Sequence, residues 1–144
     1  MRISTKGRYA IRLMLDLAAN NSGEPIRLKD VAQRQNISEK YLEQIISTLN
    51  KAGFVRSVRG PQGGYSLSRE PGEYTVGQIL RLTEGSLSPV ECTQENGAPC
   101  DREENCVTRI LWQKLDDAIN NVVDHITLED LLDWQESGTD NYVI

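Results

Sequence analysis

The stretch from Ser38 to Gly53 constrains this chain more than any other. Leu42, Ile45, Ile46 and Leu49 fall at i, i+3, i+4 and i+7, the spacing of one buried helical stripe. Ser38 is a good N-cap, and Lys51-Ala52-Gly53 closes the segment with a basic last turn and a C-cap glycine. A helix delimited this clearly must bury one face and leave the other to solvent. Ahead of it, Leu28, Val31 and Ala32 predict a short helix over 28–35, joined to it through a turn at Asn36-Ile37. Further back, Tyr9, Leu13 and Leu17, flanked by Ala10, Met14 and Ala18, predict a helix over 5–20 that breaks at Asn20-Asn21-Ser22-Gly23.

Two helices joined by a turn could be any helical hairpin. The residues from Phe54 onward narrow the choice. Phe54 to Val58 alternates apolar and polar residues as a half-buried strand does, Gly60 to Gly64 is a turn, and Tyr65-Ser66-Leu67 returns. After the punctuation of Glu70-Pro71-Gly72, Thr75-x-x-Gln78 is a capping box opening a helix to about Leu82. The expected fold class is mainly α with a small β-wing: a winged helix-turn-helix domain over 1–84. An irregular cysteine-rich loop over 85–105 follows. Residues 106–137 hold a long helix (about 106–124) and a short one opened by Thr127, and 138–144 is a loose polar tail. The long helix carries a broad apolar stripe of Val107, Ile110, Leu111, Leu115, Ala118, Ile119, Val122 and Val123. Such a stripe is buried most simply against its twin in a C2 homodimer, or else on the helix's own winged domain.

Charge is divided sharply. Residues 1–69 carry twelve Lys/Arg against five Asp/Glu, a net +7, and residues 70–144 carry four against sixteen, a net −12. This asymmetry points to a nucleic-acid-binding half joined to a half with another task. No run approaches the length needed to span a bilayer, and the charged N-terminal segment lacks the apolar core of a secretory signal, so the expected location is the cytoplasm.

The solvent face of the 38–51 helix presents Ser38, Lys40, Tyr41, Glu43 and Gln44 near its start, where a recognition helix meets the major groove. Gln44 can pair with adenine, Lys40 can meet guanine or phosphate, and Glu43 can accept from cytosine N4 while rejecting sites that do not offset its desolvation. In the hairpin, Arg59 beside Gly60-Pro61-Gln62-Gly63-Gly64 suits insertion into a narrow minor groove. Ser4, Lys6 and Arg8 place a hydroxyl and two cations at a helix N-terminus, ready for phosphates of double-stranded DNA.

Cys92, Cys100 and Cys106 are spaced C-x7-C-x5-C. An odd count without a secretory signal argues against a disulfide framework, and the close pairs of zinc sites are absent. Three thiols in one loop are soft ligands suited to iron–sulfur chemistry, with ordinary thiols as the alternative.

Met1 to Ala10, Ile37 to Gln44, Val58 to Tyr65 and Ile126 to Asp130 resemble the IscR-type (iron–sulfur cluster regulator) winged-helix bacterial transcription regulators over nearly the whole chain. The resemblance implies a homodimeric, sequence-specific DNA-binding regulator, not an enzyme. It implies a 2Fe–2S cluster held by Cys92, Cys100 and Cys106, and repression of iron–sulfur biogenesis genes by the loaded form. The family pattern has a histidine three residues after the last cysteine; here that residue is Arg109, which stays protonated and cannot ligate iron. His125, the one histidine, would lie ~28 Å along the helix from Cys106. Related nitric-oxide sensors use an acid at position 8, where this chain has Arg8. The fourth ligand stays open among Glu91, Glu95, Asp101, Glu103, Glu104, an exogenous thiol and water. The alternative function keeps the fold and uses the thiols to sense nitric oxide, redox state or cysteine metabolism.

Overall fold

The protein is described by a computed structural model covering residues 2–94 and 106–141. Helix α1 (Thr5–Ala19) starts at Ser4, whose Oγ accepts from the Gly7 amide at 3.1 Å. Helix α2 (Leu28–Gln35) ends at Asn36, which adopts the left-handed conformation at φ 53° and turns the chain into the next helix. Asparagine tolerates that region better than most residues. Helix α3 (Glu39–Lys51) is capped as expected, with Ser38 Oγ accepting from the Tyr41 amide at 3.1 Å. Leu42, Ile45, Ile46 and Leu49 are all buried.

Strands β1 (Val55–Val58) and β2 (Gly64–Leu67) pair antiparallel, Val55 opposite Leu67 and Val58 opposite Gly64. A third, one-residue strand joins them: Ile26 exchanges both backbone hydrogen bonds with Tyr65 at 2.8 Å. A Cβ on Gly64 would stand 2.4 Å from the Ile26 carbonyl oxygen, so this close approach requires glycine. The segment read as punctuation leads into Tyr74, which is fully buried. Its hydroxyl donates to the Phe54 carbonyl at 2.6 Å and accepts from the Ser68 and Arg69 amides at 3.0 Å each, fastening both ends of the wing. Arg69 covers the Phe54 and Tyr74 rings.

Helix α4 (Val76–Glu84) opens on the expected capping box of Thr75 and Gln78 and runs two residues past Leu82. Helix α5 (Val107–Val123) follows the cysteine segment, and α6 (Leu128–Asn141) returns to the first domain. Two expectations change here. The last helix is fourteen residues long, not short, and it continues through Gly138 where a loose tail was expected. Its first residue, Leu128, is fully buried in the core formed by α1, α3 and Tyr74. Backbone pairing of Val76 with Ile126 and of Leu128 with Tyr74 adds to this attachment. Thus α6 completes the winged domain by packing on α1, while α5 touches α4 and the 3-10 turn before it and leaves most of its surface uncovered. Among its residues only Asp116 is buried, and Val107, Ile110, Leu111, Leu115 and Val122 are exposed.

Candidate nucleic-acid interface and cysteine segment

The proposed DNA-reading residues come from α1, α3 and the wing. Ser38, Lys40, Glu43 and Gln44 are exposed along α3. Tyr41 is half-buried because its ring packs edge-on against Tyr9 of α1, centroids 5.7 Å apart at 83°. Arg12 lies over the other ring of the pair, 5.2 Å from the Tyr9 centroid. These contacts bring the starts of α1 and α3 together around a notch lined by Thr5, Tyr9, Asn36, Ile37, Ser38 and Tyr41. Two helix N-termini, each with a partial positive charge, therefore border one concavity.

At the start of α1, Arg8 is exposed and reaches Thr5 Oγ1 at 3.2 Å, while Lys6 is half-buried. Ser4 is already engaged within the protein. Its hydroxyl caps α1 and donates to Glu84 Oε1 at 2.5 Å, and its amide donates to the same oxygen at 3.0 Å. A Cβ at Gly7 would sit 2.2 Å from that carboxylate oxygen, so glycine makes room for Glu84.

In the wing, Arg59, Gly60, Pro61 and Gln62 form the exposed tip. Gly60 has φ 108°, and a Cβ on Gly63 would lie 2.1 Å from the Val58 carbonyl oxygen. Arg27 Nη2 donates to the Pro61 carbonyl at 2.9 Å, tying the tip to the start of α2. Helices α1 and α2 are fastened together by Asp16, whose side chain is almost wholly buried. Its carboxylate accepts from Arg34 Nη2 at 2.7 Å, Arg34 Nε at 3.1 Å and Gln35 Nε2 at 2.9 Å. Those hydrogen bonds hold the Arg34 guanidinium above the usual arginine range, against the opposing effect of burial. Arg12 also donates to the Gln35 side chain and carbonyl. Neither Asp16 nor Tyr74 announces itself in the sequence, because their partners are distant: Asp16 meets Arg34 18 residues away, and Tyr74 meets Phe54 20 residues away.

The family model that matches residues 3–134 is Rrf2, an iron-dependent transcriptional regulator. The chain belongs to the Rrf2 family. Among its relatives it is 43% identical to the transcriptional regulator CymR of Bacillus subtilis, over 99% of this chain and 98% of CymR. It is 41% identical to IscR of Cronobacter sakazakii, over 94% of this chain and 83% of IscR. The structure of CymR, the global cysteine regulator of B. subtilis, superposes with a TM-score of 0.76 at 46% identity, covering 93% of this chain and 98% of CymR. That of T. potens IscR gives 0.77 at 43%, covering 96% and 90%. The IscR-type resemblance and the mainly helical winged fold are thus both found.

In this Rrf2 chain the cysteine segment follows Gly85 and is described through Gln94 and again from Cys106. Cys92 lies in a 3-10 turn, Glu91–Thr93, that packs on α5. Cys106 is the N-cap residue of α5, its Sγ 3.1 Å from Thr108 Oγ1. Both are half-buried and neither is in a disulfide. Cys100 lies outside the described residues, as do Glu95, Asp101, Glu103 and Glu104. Among the described residues no three of His, Cys, Asp and Glu group closely enough to hold a metal ion. The donor set suits an iron–sulfur group in its three thiols and departs from it at Arg109, one turn beyond Cys106. His125 sits just past the far end of α5, its Nδ1 2.7 Å from the Asn121 carbonyl oxygen.

The turn carrying Cys92 is tied to α5 through polar contacts. Ser88 Oγ donates to Asp116 Oδ1 at 2.9 Å and lies 3.3 Å from the Thr93 carbonyl oxygen. Asn120 Nδ2 donates to the other Asp116 oxygen at 3.3 Å. Arg81 of α4 then donates to Asn120 Oδ1 at 2.7 Å and, through both terminal nitrogens, to Asp124.

Proposed function

We propose that this chain is a homodimeric transcription regulator that reads a pseudo-palindromic operator in double-stranded DNA and takes its input at the cysteine segment. The observation that carries the DNA-reading part is the junction of α1 and α3. There, two helix N-termini and the exposed Lys40, Glu43 and Gln44 flank one notch, within a half of the chain where twelve Lys/Arg against five Asp/Glu leave a net charge of +7. Phosphate contacts fix position and the α3 side chains choose bases. The exposed apolar stripe of α5 supplies the dimer contact, which sets two such units side by side. The protein acts as a binding protein rather than an enzyme, in the cytoplasm. No helix among the described residues is long and apolar enough to cross a membrane. Titrating DNA at increasing salt tests the interface: affinity should fall steeply, and Arg59→Ala should reduce the slope of log K against log salt by about one.

For the input, Cys92, Cys100 and Cys106 are the candidate ligands of a 2Fe–2S cluster, completed by a non-histidine ligand. A bound cluster would supply a redox-active group whose occupancy follows iron–sulfur supply, and the loaded form would repress biogenesis genes. Anaerobic reconstitution of the wild type and of Cys92→Ala, Cys100→Ala and Cys106→Ala tests this, read by absorption and Mössbauer spectra and by DNA binding. Retention of a wild-type cluster by all three variants would refute the ligand assignment.

A second reading is favoured by Arg109 and by the near-complete match to CymR, whose structure is that of a cysteine regulator. Here the thiols themselves report redox state, nitric oxide or cysteine metabolism. Reconstitution would then load no iron, and oxidation of the thiols alone would change DNA affinity.

A further inference from the structure

The contacts around α4 form a continuous path that neither reading of the input uses. At one end, Ser88 lies against both the Thr93 carbonyl, next to Cys92, and the buried Asp116. Asp116 accepts from Asn120, and Asn120 accepts from Arg81. Arg81 and Glu84 lie three residues apart on α4, which puts them on neighbouring positions of one rigid helix face. At the other end, Glu84 accepts from both the amide and the hydroxyl of Ser4, the residue that caps α1 where phosphate would meet the helix. Glycines make room at both joints: a Cβ on Gly77 would stand 2.3 Å from Asp124 Oδ1, and one on Gly7 would stand 2.2 Å from Glu84 Oε1.

We infer that Glu84 is a positioning residue for the phosphate-facing end of α1, and that α4 is the lever through which the cysteine segment moves that end. The inference rests on the reading of this chain as a DNA-binding regulator with its input at the cysteines. A shift of the Cys92 turn is felt by Ser88 and Asp116, and α5 passes it to Arg81. Because α4 is a short helix packed on α1, displacement at Arg81 tilts Glu84, which holds the Ser4 amide and hydroxyl. Coupling of this kind requires that the two ends share a physically continuous element with more than one arrangement.

The sign of one substitution separates positioning from simple charge. Removing a carboxylate beside a DNA-binding surface should strengthen binding to a polyanion if Glu84 acts only through its charge. If it positions Ser4, Glu84→Ala weakens binding, and Glu84→Gln, which keeps a carbonyl acceptor for the Ser4 amide, recovers part of the loss.

The full-length protein is titrated against a duplex that the wild type selects from a random-sequence pool, and hydrogen exchange is followed at the amides of residues 4–8. Glu84→Ala should weaken binding at least about fivefold and speed exchange in that segment. Ser88→Ala and Arg81→Ala should act in the same direction, while Lys114→Ala, on the exposed side of α5, should not. Adding Ser88→Ala to Glu84→Ala should produce no further change in exchange, because both lie on one path. Tighter binding by Glu84→Ala overturns the positioning role. Wild-type exchange in Ser88→Ala, or effects of Ser88→Ala and Glu84→Ala that simply add, overturn the lever. Failure of the underlying reading looks different: a wild type that selects no duplex, or one whose affinity ignores cysteine substitution, refutes the regulator or its input, while the exchange measurements still decide the lever.

Discussion

Tyr74→Phe removes one oxygen atom from the interior and tests how the wing is held. The hydroxyl makes three hydrogen bonds, one to the Phe54 carbonyl and two from the Ser68 and Arg69 amides. Their net worth is about 1 kcal/mol each, and a buried group left without a partner costs about 1 to 3 kcal/mol. The losses do not simply add. The Ser68 amide also reaches the Phe54 carbonyl at 3.3 Å, so those two groups keep each other, and the Arg69 amide bears the main cost. The aromatic ring stays in place, so no cavity opens. The expected destabilisation is about 2 to 3 kcal/mol. For a chain of this length that is a fall in Tm of about 4 to 12 °C. The assay is urea and thermal unfolding by circular dichroism at one fixed protomer concentration, since dimerisation would shift the midpoint. Amide exchange at Ser68 and Arg69 should rise by more than elsewhere in the wing. A loss below about 0.5 kcal/mol, the range of an ordinary surface change, would refute the claim that this hydroxyl fastens the wing.

Three further outcomes are expected from the same structure. Arg34→Ala leaves the buried Asp16 carboxylate with Gln35 alone; because Arg34 is 39% exposed, the loss should be about 1 to 2 kcal/mol rather than the larger cost of a fully buried pair. The folded chain raises the affinity of Arg34 for its proton, so its stabilisation is complete below the usual arginine range and is lost only as pH climbs through the raised value. The penalty measured by unfolding should therefore be constant from about pH 7 to 9. Gly63→Ala would drive a Cβ to within 2.1 Å of the Val58 carbonyl and force the backbone of the wing tip to shift, so DNA affinity should drop by about tenfold or more with a loss of stability of about 1 to 3 kcal/mol, read by anisotropy and calorimetry. Leu111→Asp with Leu115→Asp should give a folded monomer in sedimentation velocity, since both side chains are exposed in the single chain; a surviving dimer would place the interface elsewhere.

The elements of the proposed DNA interface are legible in the sequence because their signals are local. Ser38 caps α3 within three residues, the α3 stripe repeats within two turns, and Thr75 and Gln78 cap α4 reciprocally. What escaped depends on contacts between distant positions. Ile26 is a strand of one residue, too short for any alternating pattern, and only Tyr65 reveals it. Asp16 looks like the polar interruption of an amphipathic helix until Arg34 and Gln35 fold against it. Gly138 suggested the end of order, yet α6 continues through it. In the cysteine segment, the spacing suggested iron–sulfur chemistry, but Cys100 lies outside the described residues, and Arg109 keeps the ligand set from being completed by analogy.

The one-residue strand at Ile26 has a consequence for the operator. It stitches the wing to the link between α1 and α2, with Arg27 gripping the wing tip, so that, if the wing and α3 read neighbouring grooves as proposed, their spacing is set like that of a caliper. A caliper has one opening. Inserting one base pair between the two grooves it spans shifts them by about 3.4 Å and turns them by about 35°, more than a stitched wing can follow. An operator for this protein should therefore tolerate base changes in that interval far better than changes in its length.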